Sequence, residues 1–174
     1  MKIVALSDTH LAGEIPDEIL CIIHDADIVV HAGDFNSMEA YDAINRASKK
    51  LIAVHGNSDS RTLMELLPEV ERFEVDGIRF GIIHKGREYM DTTNMRYLAL
   101  EMGVDVLIYG HLHRPIIEKT DVLLVCPGSP TYPRMADPTM VELSIEKGNV
   151  TGRFIKLAGG VTCDYINYMR SLQK

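Results

Sequence analysis

The sequence lacks the features that mark membrane proteins and disulfide-rich secreted proteins. Nowhere do 18 apolar residues follow one another, and the apolar run within MKIVALSDTH is too short for the hydrophobic part of a signal peptide. The cysteines are Cys21, Cys126 and Cys163, an odd number without Cys-x-x-Cys spacing, which argues against a disulfide framework or a thiolate zinc site. We therefore expect a cytoplasmic protein, with no membrane contact, whose cysteines are small apolar residues in a reducing compartment.

Basic residues are also scarce. The chain has 18 Lys and Arg against 25 Asp and Glu, a net charge of -7, and no basic cluster longer than Lys49-Lys50. An extended nucleic-acid-binding surface is therefore not expected.

The composition is that of a folded globular chain. The 174 residues are 46% hydrophobic and 25% charged, with a mean hydropathy of -0.01. The sequence contains no internal repeat, low-complexity tract or linker. We expect one domain over residues 1–174.

The first part of the chain alternates buried strands with helices. Four apolar runs without strict alternation predict strands buried on both faces: 2–7, 27–31, 51–55 and 105–109. Four segments have helical spacing: 16–25, 37–48, 60–67 and 92–102. The first three begin with the helix-starting residues Pro16, Ser37 and Ser60. This order predicts a layered α/β fold with parallel central strands and right-handed crossovers.

The second part reads as mostly antiparallel. Residues 70–83 predict a hairpin around Asp76-Gly77, with Gly81 at a close backbone approach. Four further runs predict strands: 115–119, 122–125, 139–145 and 150–157. Residues 161–172 predict a terminal amphipathic helix, whose stripe of Tyr165 and Tyr168 is expected in core or subunit packing.

Polar residues cluster where the predicted strands end. They are Asp8 and His10, then Asp34, then Asn57, then His84, then His111 and His113. In an open α/β sheet ligands bind beyond the carboxyl ends of the strands, so these loops should converge.

Cations must balance the carboxylates of these loops, because the loops carry no matching Lys or Arg. Oxygen and imidazole donors suit Mn, Fe, Zn, Co or Ni, and the lack of cysteine disfavours copper(I). The Asp-x-His and His-x-His spacings place ligands on alternate residues of an extended loop, where they share one face.

Five blocks follow one another in the sequence: Asp-x-His, Gly-Asp, Gly-Asn, His and Gly-His-x-His. This ordered pattern resembles the calcineurin-like metallophosphoesterase superfamily. The blocks span residues 8–113, and the segment PGSPTYPR at 127–134 is similar to the small prokaryotic and archaeal phosphodiesterase branch. The resemblance thus covers nearly the whole chain. It implies an α/β fold, a four-layer αββα sandwich of two mixed sheets.

The resemblance also implies a site for two divalent transition-metal ions, with Mn most expected and Ni, Fe, Zn or Co as alternatives. Asp8, His10 and His113 would hold one ion, Asn57, His84 and His111 the other, and Asp34 would bridge them. Such ions lie about 3.5 to 4 Å apart and lower the pKa of a shared water toward about 7, so the nucleophile is a bridging hydroxide. Asn57 and His111 would also contact the phosphate.

This sequence departs from the family pattern in two places. Ser58 stands where many relatives have a His that meets the leaving group, so a strong general acid is missing there. Lys85 and Arg87 follow His84 in place of the usual Gly and His. These two residues, and Arg134, are candidate substrate contacts; solvated charge and loop ordering are the alternatives.

Other histidines have simpler interpretations. His31 and His55 lie at strand ends and are expected to be structural or to support the ligands from behind. His24 lies near a helix end, where its charge complements the helix dipole.

The function expected is a dinuclear metal-dependent phosphodiesterase acting on a small phosphate ester. A phosphomonoesterase is the second possibility. A diester substrate is favoured by the resemblance to the small phosphodiesterase branch. It is also favoured by Ser58 in place of an acidic His, since a better leaving group needs less protonation. A non-catalytic scaffold is the third, because a eukaryotic retromer scaffold subunit shares this fold. Homo-oligomerisation is left open.

Overall fold

The computed structural model describes residues 1–86, 90–158 and 164–172. Within these ranges the chain forms ten strands and five helices. In chain order they are β1 (Lys2–Leu6), α1 (Asp17–His24), β2 (Ile28–His31), α2 (Met38–Ala47), β3 (Leu51–Ala53), α3 (Arg61–Leu66), β4 (Val70–Val75), β5 (Ile78–Ile83), α4 (Thr92–Met102), β6 (Val106–Tyr109), β7 (Pro115–Lys119), β8 (Leu123–Pro127), β9 (Thr139–Glu146), β10 (Asn149–Lys156) and α5 (Asp164–Ser171).

The strands form two mixed sheets of five. The first has the order β10-β9-β1-β2-β3 and the second the order β4-β5-β6-β8-β7. In the first sheet β1, β2 and β3 are parallel, and β9 joins β1 in antiparallel orientation. In the second sheet β6 lies parallel to both β5 and β8. The predicted parallel strands therefore divide between two sheets, three in one and β6 in the other.

Three apolar clusters define four layers. The first, around Val30 and Phe80, fills the space between the two sheets. The second joins the outer face of the first sheet to α1 and α2 through residues such as Ile19 and Ile44. The third packs α4 on the outer face of the second sheet. This is the expected αββα sandwich, in which each sheet buries both faces.

Side-chain caps fix the helix starts that the sequence predicts. The hydroxyl of Ser37 accepts the N–H of Ala40, and that of Ser60 accepts the N–H of Leu63. The carboxylate of Asp91 does the same at the start of α4. The predicted helices at 37–48, 60–67 and 92–102 are confirmed to within a residue at each end.

The hairpin prediction is also confirmed. Strands β4 and β5 pair in antiparallel orientation, and the turn residues Asp76 and Gly77 have φ of 51° and 78°. Gly81 does mark a close approach, but to side chains rather than to backbone. A Cβ there would lie 2.7 Å from the terminal methyl of Met102.

The second part is mostly antiparallel, as predicted, although β8 pairs in parallel with β6 as well as in antiparallel orientation with β7. In α5, Tyr165 packs on α1 and stacks on His24, as predicted, whereas Tyr168 is exposed and its place in subunit packing stays a prediction. One expectation needs correction. Cys21 is disulfide-bonded, so the expectation that it is a simple apolar residue is wrong. Val161, in the predicted helical segment, lies outside the described residues.

Helix length and hydropathy bear on membrane insertion. Across the described part of the chain, none of the helices is both long enough and apolar enough to span a bilayer.

Candidate metal centre

The seven predicted ligands lie in loops where the two sheets meet. Four follow strands of the first sheet and three follow strands of the second: Asp8 and His10 after β1, Asp34 after β2, Asn57 after β3, His84 after β5, and His111 and His113 after β6. Hydrogen bonds join these loops. The N–H of Asp8 donates to the carbonyl of Gly33 at 2.9 Å, and the N–H of His111 donates to the Asp8 carboxylate at 3.0 Å. The second bond connects the two sheets directly.

Five of these residues form two groups that share Asp8. The ligand atoms of Asp8, His10 and His113 all lie within 4.8 Å of one another, and so do those of Asp8, Asp34 and His84. All of these residues are buried except His10, which is half-buried. Each group combines carboxylate and imidazole donors, the set that divalent transition metals bind.

The other two predicted ligands lie at the edge of the second group. The Oδ1 atom of Asn57 is 3.2 Å from Nε2 of His84. The ring of His111 lies edge-on to the ring of His84, with 5.3 Å between centroids. Asn57 is exposed and His111 half-buried, so both face the open side of the centre.

Asp34, a member of the second group, also faces an imidazole of the first. Its Oδ2 atom is 3.4 Å from Nε2 of His10 and 3.3 Å from Nε2 of His84. Its other oxygen, Oδ1, accepts the N–H of Ser58 at 2.7 Å. The carboxylate is therefore held by the loop after β3 while one oxygen faces an imidazole on either side.

Three imidazoles are oriented through Nδ1. Nδ1 of His10 lies 3.0 Å from Oδ1 of Asn36. Nδ1 of His84 lies 2.8 Å from the carbonyl oxygen of Ala32, and Nδ1 of His113 lies 2.6 Å from that of Tyr132. A carbonyl oxygen only accepts, so Nδ1 carries the proton and Nε2 presents a lone pair. This is the arrangement in which protein histidines bind metals.

The lone pairs of these rings face other lone pairs. Nε2 of His10 and Nε2 of His113 are 3.1 Å apart, and Nε2 of His84 faces oxygens of Asn57 and Asp34. Such electron-rich atoms converge favourably only around positive charge. The donor set therefore fits divalent cations, and Asp8, His10, Asp34, His84 and His113 are the residues that would hold them.

The electrostatics of the centre also favour positive charge. Contact with Asp8 raises the pKa of His10, although burial opposes the shift. Burial lowers the pKa of His84, but the adjacent Asp34 outweighs it and the net shift is upward. Burial likewise opposes the fall in the pKa of Asp34, which His84 and Ser58 drive to well below its usual range. Protons and cations thus compete for this site.

His111 behaves differently from the other imidazoles. Burial lowers its pKa, and the charges of His84 and Lys85 lower it further. A neutral imidazole presents a lone pair, so His111 can bind a cation at ordinary pH.

The ligand loops are not extended, contrary to the expectation for the Asp-x-His and His-x-His spacings. Asp8, His10, Asp34, His111 and His113 have φ of 56°, 45°, 62°, 70° and 54°. This left-handed region is uncommon for residues other than Gly and costs of order 1–3 kcal/mol each. Alternate residues still share one face, but through tight turns held by surrounding hydrogen bonds.

Glycines let these turns approach each other. Gly33 has φ of 91°, and a Cβ there would lie 2.8 Å from the N atom of Gly56. A Cβ on Gly56 would collide with the Asp34 carboxylate, and one on Gly110 would collide with the Ser7 hydroxyl. The glycines that precede Asp34, Asn57 and His111 are therefore required by packing at this centre.

Asp59 organises the centre, although it received no role in the sequence analysis. The residue is 6% exposed, and its carboxylate accepts N–H bonds from Asp34 at 3.0 Å, Asn36 at 2.8 Å and Gly56 at 2.7 Å. It ties the loop after β2 to the loop after β3. Its position in the Gly-Asn-Ser-Asp block is the signal that could have suggested this.

Two further contacts from the 127–134 segment were not predicted. The Ser129 hydroxyl donates to the carbonyl of Asp8 at 2.6 Å, and the carbonyl of Tyr132 orients His113. The Tyr132 ring is exposed and lies edge-on to His10 and His113. This segment, which follows β8 of the second sheet, therefore supports Asp8 and His113.

His31 is the buried supporting residue that its position suggests. Its Nδ1 accepts the N–H of Gly33 at 3.1 Å, so Nε2 carries the proton and faces the Thr9 hydroxyl at 3.3 Å. Burial, with the charge of His84, holds the pKa of His31 well below its ordinary value. A neutral imidazole thus connects the loops after β1 and β2.

The candidate substrate contacts have different outcomes. Lys85 lines a pocket together with Asn57 and His84. Arg134 is exposed and donates its backbone N–H to the carbonyl of His113 at 3.2 Å, which fits loop ordering. Arg87 lies outside the described residues. Ser58 is exposed beside Asn57, whose amide nitrogen donates to its hydroxyl at 3.2 Å.

Comparison with known proteins covers most of the chain. Residues 1–148 match the calcineurin-like phosphoesterase superfamily domain. A probable metallophosphoesterase of Methanothermobacter thermautotrophicus is 38% identical over 176 residues, which cover 98% of this chain and 100% of that protein. A phosphodiesterase of Methanocaldococcus jannaschii is 30% identical over 164 residues, covering 84% of this chain and 95% of that protein.

Solved structures share the same architecture. Vps29 of Entamoeba histolytica, in complex with zinc, superposes with a TM-score of 0.74 at 22% identity and covers 90% of this chain and 99% of its own. That likeness shows the fold alone. An archaeal phosphodiesterase superposes with a TM-score of 0.69 at 26% identity, covering 89% of this chain and 100% of its own. The chain is a metal-dependent phosphoesterase and belongs to the calcineurin-like phosphoesterase superfamily.

Proposed function

We propose that this protein is a dinuclear phosphodiesterase acting on a small phosphate ester. The observation that carries the proposal is the position of Asp34, whose Oδ2 lies 3.4 Å from His10 Nε2 and 3.3 Å from His84 Nε2. A carboxylate oxygen that faces an imidazole on either side is placed to be a ligand shared by two ions, as a two-metal mechanism would use.

The proposed ligands divide around Asp34. Asp8, His10 and His113 hold one ion, and Asn57, His84 and His111 hold the other. When bound, the two cations activate water and neutralise charge on the phosphoryl oxygens. The donors are oxygen and imidazole, which favours manganese, with Ni, Fe, Zn and Co as alternatives.

Protein residues fix the geometry of this chemistry. The carbonyls of Ala32 and Tyr132 hold the Nδ1–H groups of His84 and His113, so both rings keep Nε2 toward the centre. Asn57 and His111 lie on the open side, where we expect them to contact the phosphate. Lys85 lines a pocket with Asn57 and His84 and adds positive charge on the same side.

Two observations favour a diester over a monoester. The phosphodiesterase of Methanocaldococcus jannaschii is 30% identical over 84% of this chain. Ser58, at the exposed edge beside Asn57, cannot act as a strong general acid, so substrates with good leaving groups suit this centre. The proposal extends to the whole chain acting as one domain.

Reconstitution with manganese tests the proposal. Elemental analysis of the dialysed protein should give two ions per chain, and hydrolysis of bis(4-nitrophenyl) phosphate should exceed that of 4-nitrophenyl phosphate. One ion per chain contradicts the dinuclear assignment, and the reverse substrate order identifies a phosphomonoesterase.

A non-catalytic scaffold is the second candidate, because Vps29 structures share this fold. The structure retains both carboxylate–imidazole groups, and the Vps29 structure also contains zinc, so hydrolysis rather than metal content separates the two candidates. A fully metal-loaded protein that hydrolyses neither ester would support the scaffold.

A further inference from the structure

The ring of Tyr132 lies at the rim of the proposed centre, beside the group formed by Asp8, His10 and His113. Its centroid is 5.8 Å from that of His10 and 6.0 Å from that of His113. Within the two carboxylate–imidazole groups, His10 is the one residue that is not fully buried. This group therefore opens to solvent beside Tyr132, and a phosphate ester that reaches an ion there meets the ring.

The flat face of Tyr132 is accessible to a ligand. The residue is 61% exposed. The imidazoles of His10 and His113 are inclined to the phenol ring at 61° and 70°, so neither stacks on it. In the described part of the chain no other ring contacts Tyr132. An aromatic group that lies parallel to the phenol would gain a stacking contact that the protein itself leaves unused.

Backbone hydrogen bonds fix the position from which this ring projects. The N–H of Tyr132 donates to the Ser129 hydroxyl at 2.7 Å, and its carbonyl accepts Nδ1–H of His113 at 2.6 Å. Pro133 follows and restricts the Tyr132 backbone further. Only two side-chain torsions remain to be ordered when the ring binds a ligand, so its large contact area comes at a low entropic cost. Tyr132 thus supports a metal ligand through its backbone and presents its ring to a substrate.

We propose that Tyr132 is a specificity-determining residue, whose ring stacks on a planar aromatic or heterocyclic group of the phosphate ester. The inference rests on the proposed phosphodiesterase function, since it places that group on a substrate held at the metal centre. It narrows the substrate class to esters that carry a planar ring close to phosphorus, in preference to aliphatic esters of equal size.

Two phosphonates of similar size test the stacking. Phenylphosphonate carries a planar ring and cyclohexylphosphonate a puckered one, and neither contains an ester bond that the enzyme could hydrolyse. Calorimetric titration of the manganese-loaded protein gives the ratio of their dissociation constants, which should favour phenylphosphonate. Tyr132→Leu should reduce this preference about two- to tenfold. Tyr132→Phe should retain it, because the stacking face remains.

The variants leave the backbone bonds of residue 132 in place, so the metal content per chain should match that of wild type. Tyr168→Leu is the matched control, since Tyr168 is 62% exposed on α5, which packs against α1. It should keep the wild-type ratio. An unchanged ratio in Tyr132→Leu would overturn the proposal, as would a failure of either phosphonate to bind. An equal loss in Tyr132→Phe would also overturn it, because a contact of the hydroxyl would then explain the effect.

Hydrolysis measured in parallel separates this inference from the proposed function. Tyr132→Leu should raise KM for bis(4-nitrophenyl) phosphate about two- to tenfold and leave kcat nearly unchanged, because stacking holds the substrate and the transition state alike. A metal-loaded protein that hydrolyses no diester contradicts the proposed function, while the phosphonate ratio still decides the role of Tyr132. A fall in kcat at constant KM would overturn the stacking role, even in an active enzyme.

Discussion

The carboxylate of Asp59 accepts the backbone N–H of Asp34 at 3.0 Å. The same oxygen accepts the N–H of Gly56 at 2.7 Å, so one buried atom joins the loops after β2 and β3. Asp34 is the residue that faces both imidazole groups, and its φ of 62° is one that a non-glycine residue rarely adopts. Asp59 therefore acts as a positioning residue for Asp34.

The first prediction concerns Asp59→Asn. The amide can present an acceptor to only one side, so at least one of the three N–H groups loses its partner, at about 1–3 kcal/mol. We expect a lower free energy of unfolding in urea and a loss of metal affinity of about 10- to 100-fold. Asp42→Asn, on the exposed face of α2, is the control and should match wild type in both. Normal metal affinity in folded Asp59→Asn would contradict the positioning role.

The second prediction compares Asp34→Asn with His31→Ala. Asp34 faces His10 and His84 at once, so the amide removes negative charge from both halves of the centre. His31 contacts Gly33 and Thr9 instead. Loss of such a supporting residue lowers metal affinity or activity about 10- to 100-fold. We expect the larger fall in kcat/KM, and fewer bound ions per chain, for Asp34→Asn. Equal losses in two folded variants would count against the bridging assignment.

The third prediction concerns pH and His31. Burial, aided by the charge of His84 and opposed by Asp34, lowers the folded-state pKa of His31 below the unfolded value of about 6.5. The unfolded chain therefore binds a proton that the folded chain excludes, so this contribution to stability is complete above about pH 6.5 and is lost as the pH falls. The loss is up to about 1.4 kcal/mol per pH unit.

Urea unfolding of the metal-free protein at pH 7.5, 6 and 5 measures this effect. The advantage of wild type over His31→Gln in free energy of unfolding should shrink as the pH falls. His10 and His84 have raised pKa values and act in the opposite direction, but they are common to both proteins. A constant difference across this range would mean that His31 takes a proton in the folded state.

The fourth prediction concerns Tyr109, the last residue of β6. Its hydroxyl is buried and has no hydrogen-bond partner among the residues that the structure describes. Burial also raises the pKa of this phenol, as expected for a group held away from water. Tyr109→Phe should raise the free energy of unfolding by about 1 kcal/mol, since an unsatisfied buried group is costly. Tyr97→Phe, at an exposed site on α4, should leave stability unchanged; a destabilised Tyr109→Phe would indicate that a water satisfies the hydroxyl.

The sequence predicts the strands and the ligand loops well because both have local signals. The uninterrupted apolar run before Asp8 identifies a strand buried on both faces, and Ser37 and Ser60 identify helix starts by their caps. Polar residues at the ends of such strands are expected to lie together at one edge of a sheet. Five of the seven predicted ligands accordingly lie in the two carboxylate–imidazole groups.

The remaining features depend on contacts between distant segments. Asp59 bonds to Asp34 and Asn36 across more than 20 residues, and periodicity does not reveal a backbone acceptor at that distance. The left-handed φ of His10 and His113 is imposed by the hydrogen bonds of neighbouring loops. The parallel pairing of β8 with β6 likewise follows from the way the second sheet packs.

The last prediction concerns leaving-group acidity and Ser58. Phosphate esters hydrolyse very slowly without catalysis, so the leaving oxygen as well as the nucleophile needs stabilisation. Ser58 is exposed beside Asn57, and its hydroxyl is too weak an acid to protonate an alkoxide. In a series of substituted phenyl diesters, kcat/KM should therefore rise steeply as the pKa of the leaving phenol falls. Ser58→His should flatten this dependence by donating a proton, a contribution of about 10²- to 10⁴-fold for a well-placed acid, while Ser58→Ala should keep the wild-type slope. The backbone N–H that Ser58 donates to Asp34 is retained in both variants. A wild-type rate that ignores leaving-group pKa while chemistry is rate-limiting would show that another acid is present, and His55 and Lys85 in the adjoining pocket would be the residues to substitute next.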